Sequence, residues 1–164
     1  MLVDCFVFAY YFHMEIYAAK YWTAAQQLFD AQARLEERFA NALGSIHGLS
    51  LKDTLLLLHV AHAEGGRLSR IELAKRLSIS PSTVTRTTAP LEKRGLLGRE
   101  SSVRDARYAY VVLTDAGKRA VVDASATLER LSAGVFAQGW TADEVATLTV
   151  LLGRLAGRYP GGTP

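Results

Sequence analysis

The chain has 164 residues, 49% of them hydrophobic and 21% charged, with a formal net charge of +3 and a single cysteine. That length and apolar content exclude a disordered chain and suit one compact domain with a real core. One cysteine excludes an intrachain disulfide framework and fits a reducing compartment, so a cytoplasmic location is expected.

In chain order, the first run, Leu2–Phe12, is apolar but carries Asp4 and is followed by His13 and Glu15. It is too short to span a bilayer and lacks the basic start of a signal peptide, so no membrane partner is expected. Met14 offers an alternative translation start, which would make residues 1–13 an upstream extension. A long helix is expected near Tyr17–Leu43, with Leu28, Leu35, Phe39 and Leu43 on one side and a break over Asn41–Gly48. Ser50 with Asp53 opens a second helix through LLLLHVAHAE, closed by Gly65 and Gly66.

The stretch Leu68–Gly95, LSRIELAKRLSISPSTVTRTTAPLEKRG, reads as two short helices joined by a tight turn. Ser69 and Glu72 form a capping box, and Ile71, Leu73, Ala74 and Leu77 mark one apolar face. Ser80 is the next N-cap, with Pro81 at the first helical position, where its missing N–H costs nothing. Val84, Leu91 and either Ala89 or Thr88 face inward, leaving Ser82, Thr83, Thr85 and Arg86 towards solvent. Pro90 is expected to bend the last turn, and Gly95 after Lys93 and Arg94 stops the helix. This is the layout of a helix-turn-helix, whose second helix enters the major groove of DNA. The segment Leu96–Leu113 reads as a basic hairpin, the wing of a winged helix. Arg67–Arg107 holds ten Lys/Arg against four Asp/Glu, a net +6, while the remaining residues sum to −3 (nine basic, twelve acidic). Positive charge is therefore concentrated on the motif, as phosphate neutralisation requires.

After the hairpin, Thr114 caps a long helix to about Ala137, and Gly139 punctuates. Thr141 and Glu144 form another capping box before a last helix ending near Arg158, and only the PGGTP tail reads as disordered. The fold class is mainly α with a small β-wing. The flanking helices carry more apolar residues than one DNA-reading module can cover, which points to a homodimer built from both ends of the chain. The domains are then an apolar extension over 1–13, helical dimerisation segments over 14–48 and 114–158, a winged helix-turn-helix over 49–113, and a flexible tail over 159–164.

Two runs carry the resemblance to a known family: LAKRLSISPSTVTRTTAPLEKRGLLGRE, and RDARYAYVVLTDAG with its D-x-R segment Asp105-Ala106-Arg107. The sequence resembles the MarR (multiple antibiotic resistance regulator) family over about Leu49–Thr114, and by layout in the flanking helices. The resemblance implies a homodimeric winged-helix transcription factor, usually a repressor, often released from double-stranded DNA by a small aromatic or phenolic effector. Carried onto matching positions, it implies DNA contacts from Ser80, Ser82, Thr83, Thr85 and Arg86 of the recognition helix. Arg86 would suit guanine, and the wing residues Arg104 and Arg107 a narrow minor groove, with Asp105 orienting the wing. The family's pocket between the dimer helices and the winged helix makes Trp22, Phe29, Leu56 and His59 ligand candidates.

Other chemistry is weaker. His59 and His62 lie i, i+3 with Glu64 nearby, and His13 or His47 could join them, but no HExxH or cysteine-rich pattern exists. These histidines read as polar groups on an apolar helix, and no metal or cofactor is expected. No phosphate-binding glycine loop, nucleophile elbow or metal-hydrolase spacing is present, so the expectation is not an enzyme. Cys5, in DCFVFAYY, is similar to the cysteine neighbourhood of the family's organic-hydroperoxide sensors, yet no basic residue stands near it. It reads as an inert cysteine. A peroxide-sensing repressor, or a winged-helix protein-interaction module, is the alternative function.

Overall fold

The computed structural model describes residues 3–101, 109–137 and 139–157, with side chains described from residue 19 onward except that of Ser101. Arg104, Asp105, Arg107, Arg158 and the tail lie outside the described residues, and Cys5, His13 and Met14 outside the described side chains. The elements in order are α1 (Val3–His47), α2 (Leu51–Ala61), a 3-10 turn (Glu64–Gly66), β1 (Arg67–Ser69), α3 (Arg70–Leu77), α4 (Pro81–Lys93), β2 (Leu97–Ser101), β3 (Ala109–Leu113), α5 (Asp115–Phe136) and α6 (Ala142–Leu155).

Helix α1 is longer than expected at both ends. It holds no proline, and its first glycine is Gly44, so nothing local interrupts it. The expected break over Asn41–Gly48 is confined to its last residue: Leu43 is wholly buried and keeps the last turn packed. The chain turns at Gly48 (φ +61°), where a left-handed conformation suits glycine. Helix α2 starts with the Ser50–Asp53 capping box. Helix α6 starts with the Thr141–Glu144 box and ends at Leu155, short of Arg158.

The sheet has three strands in the order β1-β3-β2, both pairings antiparallel. Sequence reading anticipated β2 and β3 but not β1, whose three residues are too few to show a period. Register places Leu68 opposite Val111, and both are buried. Around them the core gathers Leu49, Leu56, Leu57, Val60, Leu73, Val84, Leu91, Leu97 and Val121. Burying each leucine contributes roughly 1.5–3 kcal/mol.

The junction of α4, β3 and α5 explains the LTDAG run. Thr114 caps α5 by accepting from the Gly117 N–H at 3.0 Å, while its hydroxyl donates to the Gly95 carbonyl at 2.6 Å. Gly117 lies so close to the Leu96 carbonyl oxygen that a Cβ there would overlap it. The glycine is required for close approach, with no unusual φ involved.

Candidate nucleic-acid interface

Helices α3 and α4 form the helix-turn-helix, and each boundary has a local cause. Ser69 Oγ accepts from the Glu72 N–H at 3.2 Å, and the Glu72 carboxylate accepts from the Ser69 N–H at 3.1 Å. Hydrogen bonds from the Ser69 hydroxyl, then from its N–H, hold the Glu72 carboxyl below the usual carboxylate range. Helix α3 ends at Ser78 in the left-handed region (φ 54°, ψ 40°), with Ile79 N–H bonded to Ala74 O and Ser78 N–H to Lys75 O. That pair of bonds is a Schellman motif. Ile71 is a correction: it is 54% exposed, because it lies two residues from Leu73 and points to the opposite side of α3.

Ser80 caps α4, its Oγ accepting from the Thr83 N–H at 3.2 Å, and Pro81 follows at the first turn. Val84, Thr88 and Leu91 are buried at helical spacing, so Thr88 and not Ala89 takes the inward position. Despite Pro90 the helix continues to Lys93. The proline forfeits the hydrogen bond its N–H would have made to the Arg86 carbonyl. A second Schellman motif, Leu96 N–H to Leu91 O and Gly95 N–H to Glu92 O, closes it at Gly95 (φ +71°).

The opposite face of α4 is a solvent stripe of Ser82, Arg86, Ala89 and Lys93, all exposed. The hydroxyls of Ser82 and Thr83 each lie 2.9 Å from that of Ser80. Arg86 Nη2 reaches Thr83 Oγ1 at 3.4 Å. The structure thus brings together four of the five recognition-helix residues read from the sequence. The fifth, Thr85, is half-buried and donates back to the Pro81 carbonyl at 3.3 Å. Sequence reading missed Ala89 and Lys93, which a strict helical count from Arg86 would have placed on this stripe.

Charge is less free than the residue count implies. Arg99 pairs with Glu92 at 2.7 Å, and Arg67 pairs with Glu100 at 3.4 Å while lying 5.1 Å from the centroid of the Tyr110 ring. Arg94 is turned to the Gly48 carbonyl at 3.0 Å. Lys75, Arg76, Arg86 and Lys93 remain solvent-exposed on α3 and α4.

Of the ligand candidates, Trp22 and Phe29 are exposed on α1, 62% and 60%, whereas Leu56 has no exposed surface and belongs to the winged-helix core. His59 is half-buried. Among the described residues no group of three or more His, Cys, Asp or Glu could hold a metal, and no helix is long and apolar enough to cross a membrane. His47 instead hydrogen-bonds Thr127, Nε2 to Oγ1, at 2.9 Å.

Residues 47–107 match the MarR family model. Over that span the chain is similar to the MarR family, and it carries a winged-helix fold. A MarR family transcriptional regulator of Streptomyces coelicolor, solved in complex with DNA, is 24% identical over 84% of this chain and 87% of its own, with a TM-score of 0.74. A probable transcriptional regulator of Pseudomonas aeruginosa is 25% identical over 80% of this chain and 95% of its own, with a TM-score of 0.70. BpsR of Bordetella bronchiseptica, whose DNA binding is regulated by 6-hydroxynicotinic acid, is 22% identical over 80% and 91%, with a TM-score of 0.71. The MarR family is one of transcriptional regulators, not of enzymes. The matched span covers α2, the helix-turn-helix and β2, the elements that form the exposed stripe and its support.

Proposed function

We propose that this chain acts as a MarR-type homodimeric repressor that binds palindromic operators and is released by a small aromatic or phenolic effector. The observation that carries the reading is the solvent stripe of α4, held on a packed core with hydroxyls at its N-terminal end and Arg86 beside them. In the major groove Arg86 would take guanine O6 and N7, Ser80, Ser82 and Thr83 would take phosphate or base edges, and the Ala89 methyl could meet a thymine methyl. Thr85 joins them if its hydroxyl turns away from Pro81. Arg104 and Arg107 fill the minor groove in this reading, with Asp105 orienting them.

Segments 14–48 and 114–158 form the dimer. Helix α6 buries no residue, and Val150, Leu151, Leu152 and Leu155 stand exposed on it, as do Tyr21, Trp22 and Phe29 on α1. So much exposed apolar surface at both ends of the chain supports a second copy. The effector class is supported by BpsR, whose DNA binding responds to an aromatic acid. Trp22, Phe29 and His59 are the side chains we assign to effector contact, and Leu56 joins only if the core opens.

The test is selection of duplexes from random DNA by the purified protein, followed by titration of the recovered sequence and of random DNA at several salt concentrations. Arg86→Ala should weaken specific binding by roughly 1–3 kcal/mol while changing non-specific binding less. Equal losses on both DNAs would remove its base-reading role. Recovery of no shared sequence would overturn the operator reading.

A further inference from the structure

The C-terminal end of α4 is linked to the end of α1 and to the start of α5, and one exposed side chain makes the first of these links. Arg94, at the C-terminal cap of α4, donates from Nη1 to the carbonyl of Gly48, the residue after the last turn of α1, at 3.0 Å. Both α1 and α4 present the negative end of a helix dipole here. A guanidinium is suited to the gap, being always charged and carrying several donors in a rigid plane. The third end is the start of α5. Its cap Thr114 donates to the Gly95 carbonyl and its backbone N–H to the Leu96 carbonyl at 3.2 Å, the two residues directly after Arg94. The end of α1 is tied separately to the middle of α5 by the His47–Thr127 hydrogen bond.

From this geometry we infer that Arg94 is a positioning residue. It fixes the angle of α4 against α1, and so sets the separation of the two recognition helices in the dimer. The inference rests on the homodimeric operator reading above. Of the two hydrogen-bonded links from the end of α4 to the flanking helices among the described residues, the one to α5 is made through the backbone of Gly95 and Leu96, the chain neighbours of Arg94. The one to α1 hangs on a single side chain, 46 residues away in sequence from its acceptor. Removing it leaves the helix-turn-helix whole, with α4 related to α1 only through the packing of α2 and α5. Arg94 therefore acts on where the α4 stripe points and not on what it contacts.

The experiment uses the palindrome recovered by the wild-type chain, together with versions whose central spacer is one base pair longer or shorter. Arg94→Gln and Arg94→Met are titrated on all three, with melting temperature and circular dichroism recorded beside them. Both variants should stay folded and discriminate among the spacings roughly 5-fold less than wild type, a size typical of coupling between sites. Their salt dependence should stay parallel to wild type. Unchanged spacing preference would overturn the inference. So would a uniform loss on all three probes with the salt slope reduced by about one, since that is the signature of a phosphate contact. If the wild-type chain recovers a sequence without two-fold symmetry, the dimeric reading fails first and Arg94 has no spacing to set.

Discussion

Ser78 is the one non-glycine residue with positive φ among the described residues, and it forms the corner of the helix-turn-helix. A left-handed conformation costs an L-residue roughly 1–2 kcal/mol, and glycine escapes that cost while losing more chain entropy on folding. Ser78→Gly is therefore expected to stabilise the protein by about 0.5–1 kcal/mol, read as a raised urea midpoint at unchanged slope. A lowered midpoint would mean that the serine side chain contributes more than its backbone costs. Arg86 and Lys93 illustrate the opposite situation, since neither is strained and both are exposed. Their value lies in what they can meet outside the molecule.

Helix α3 is short, eight residues, and depends on its cap more than a long helix would. Glu72 is held in its ionised form by Ser69, so its folded-state pKa lies below the unfolded value. Its contribution is then present above the unfolded pKa and is lost as pH falls through the folded one. Ser69→Ala should cost about 1 kcal/mol at neutral pH. The gap between variant and wild type should narrow in acid, yet not close, because Ser69 Oγ still accepts from the Glu72 N–H when the carboxyl is protonated. Urea unfolding of both proteins from pH 7 to about pH 3 checks this against the ordinary carboxyl range. A constant gap would show that the carboxylate takes no part in the cap. Helix α4 has a similar serine cap but no acidic residue in its first turn. Its N-terminus is thus left positive, which suits a surface that faces phosphate.

For the molecule as a whole, the uneven feature is where burial stops. The core is concentrated in the winged helix and the start of α5, while α6 buries nothing. Ending the chain at Trp140 removes α6 and leaves every proposed DNA contact in place. We expect the shortened protein to sediment as a monomer and to lose about 10²-fold or more in affinity for a two-half-site operator, through loss of linked binding. Affinity for a single half-site should hold. A shortened chain that still dimerises would move the interface to α1 and α5 alone.

Much of this arrangement is legible in local residue order. The caps at Ser50, Ser69, Ser80, Thr114 and Thr141 are read from serine or threonine at the start of a helical period, and all five accept the expected backbone N–H. Such signals survive in sequence because the partners lie three residues apart. The exposure of Ser80, Ser82 and Arg86 follows from the same period, whereas Thr83 and Thr85 are half-buried. What local order did not contain are contacts between distant segments. The pairing of β1 with β3 was decided by packing, whereas the outward turn of Ile71 and the choice of Thr88 over Ala89 were within reach of a stricter helical count. Packing also decided the capture of Arg67, Arg94 and Arg99 by partners elsewhere, which a tally of charge cannot anticipate. Periodicity names the face a residue occupies, but only the assembled core decides which face meets water and which cation is left free to meet DNA.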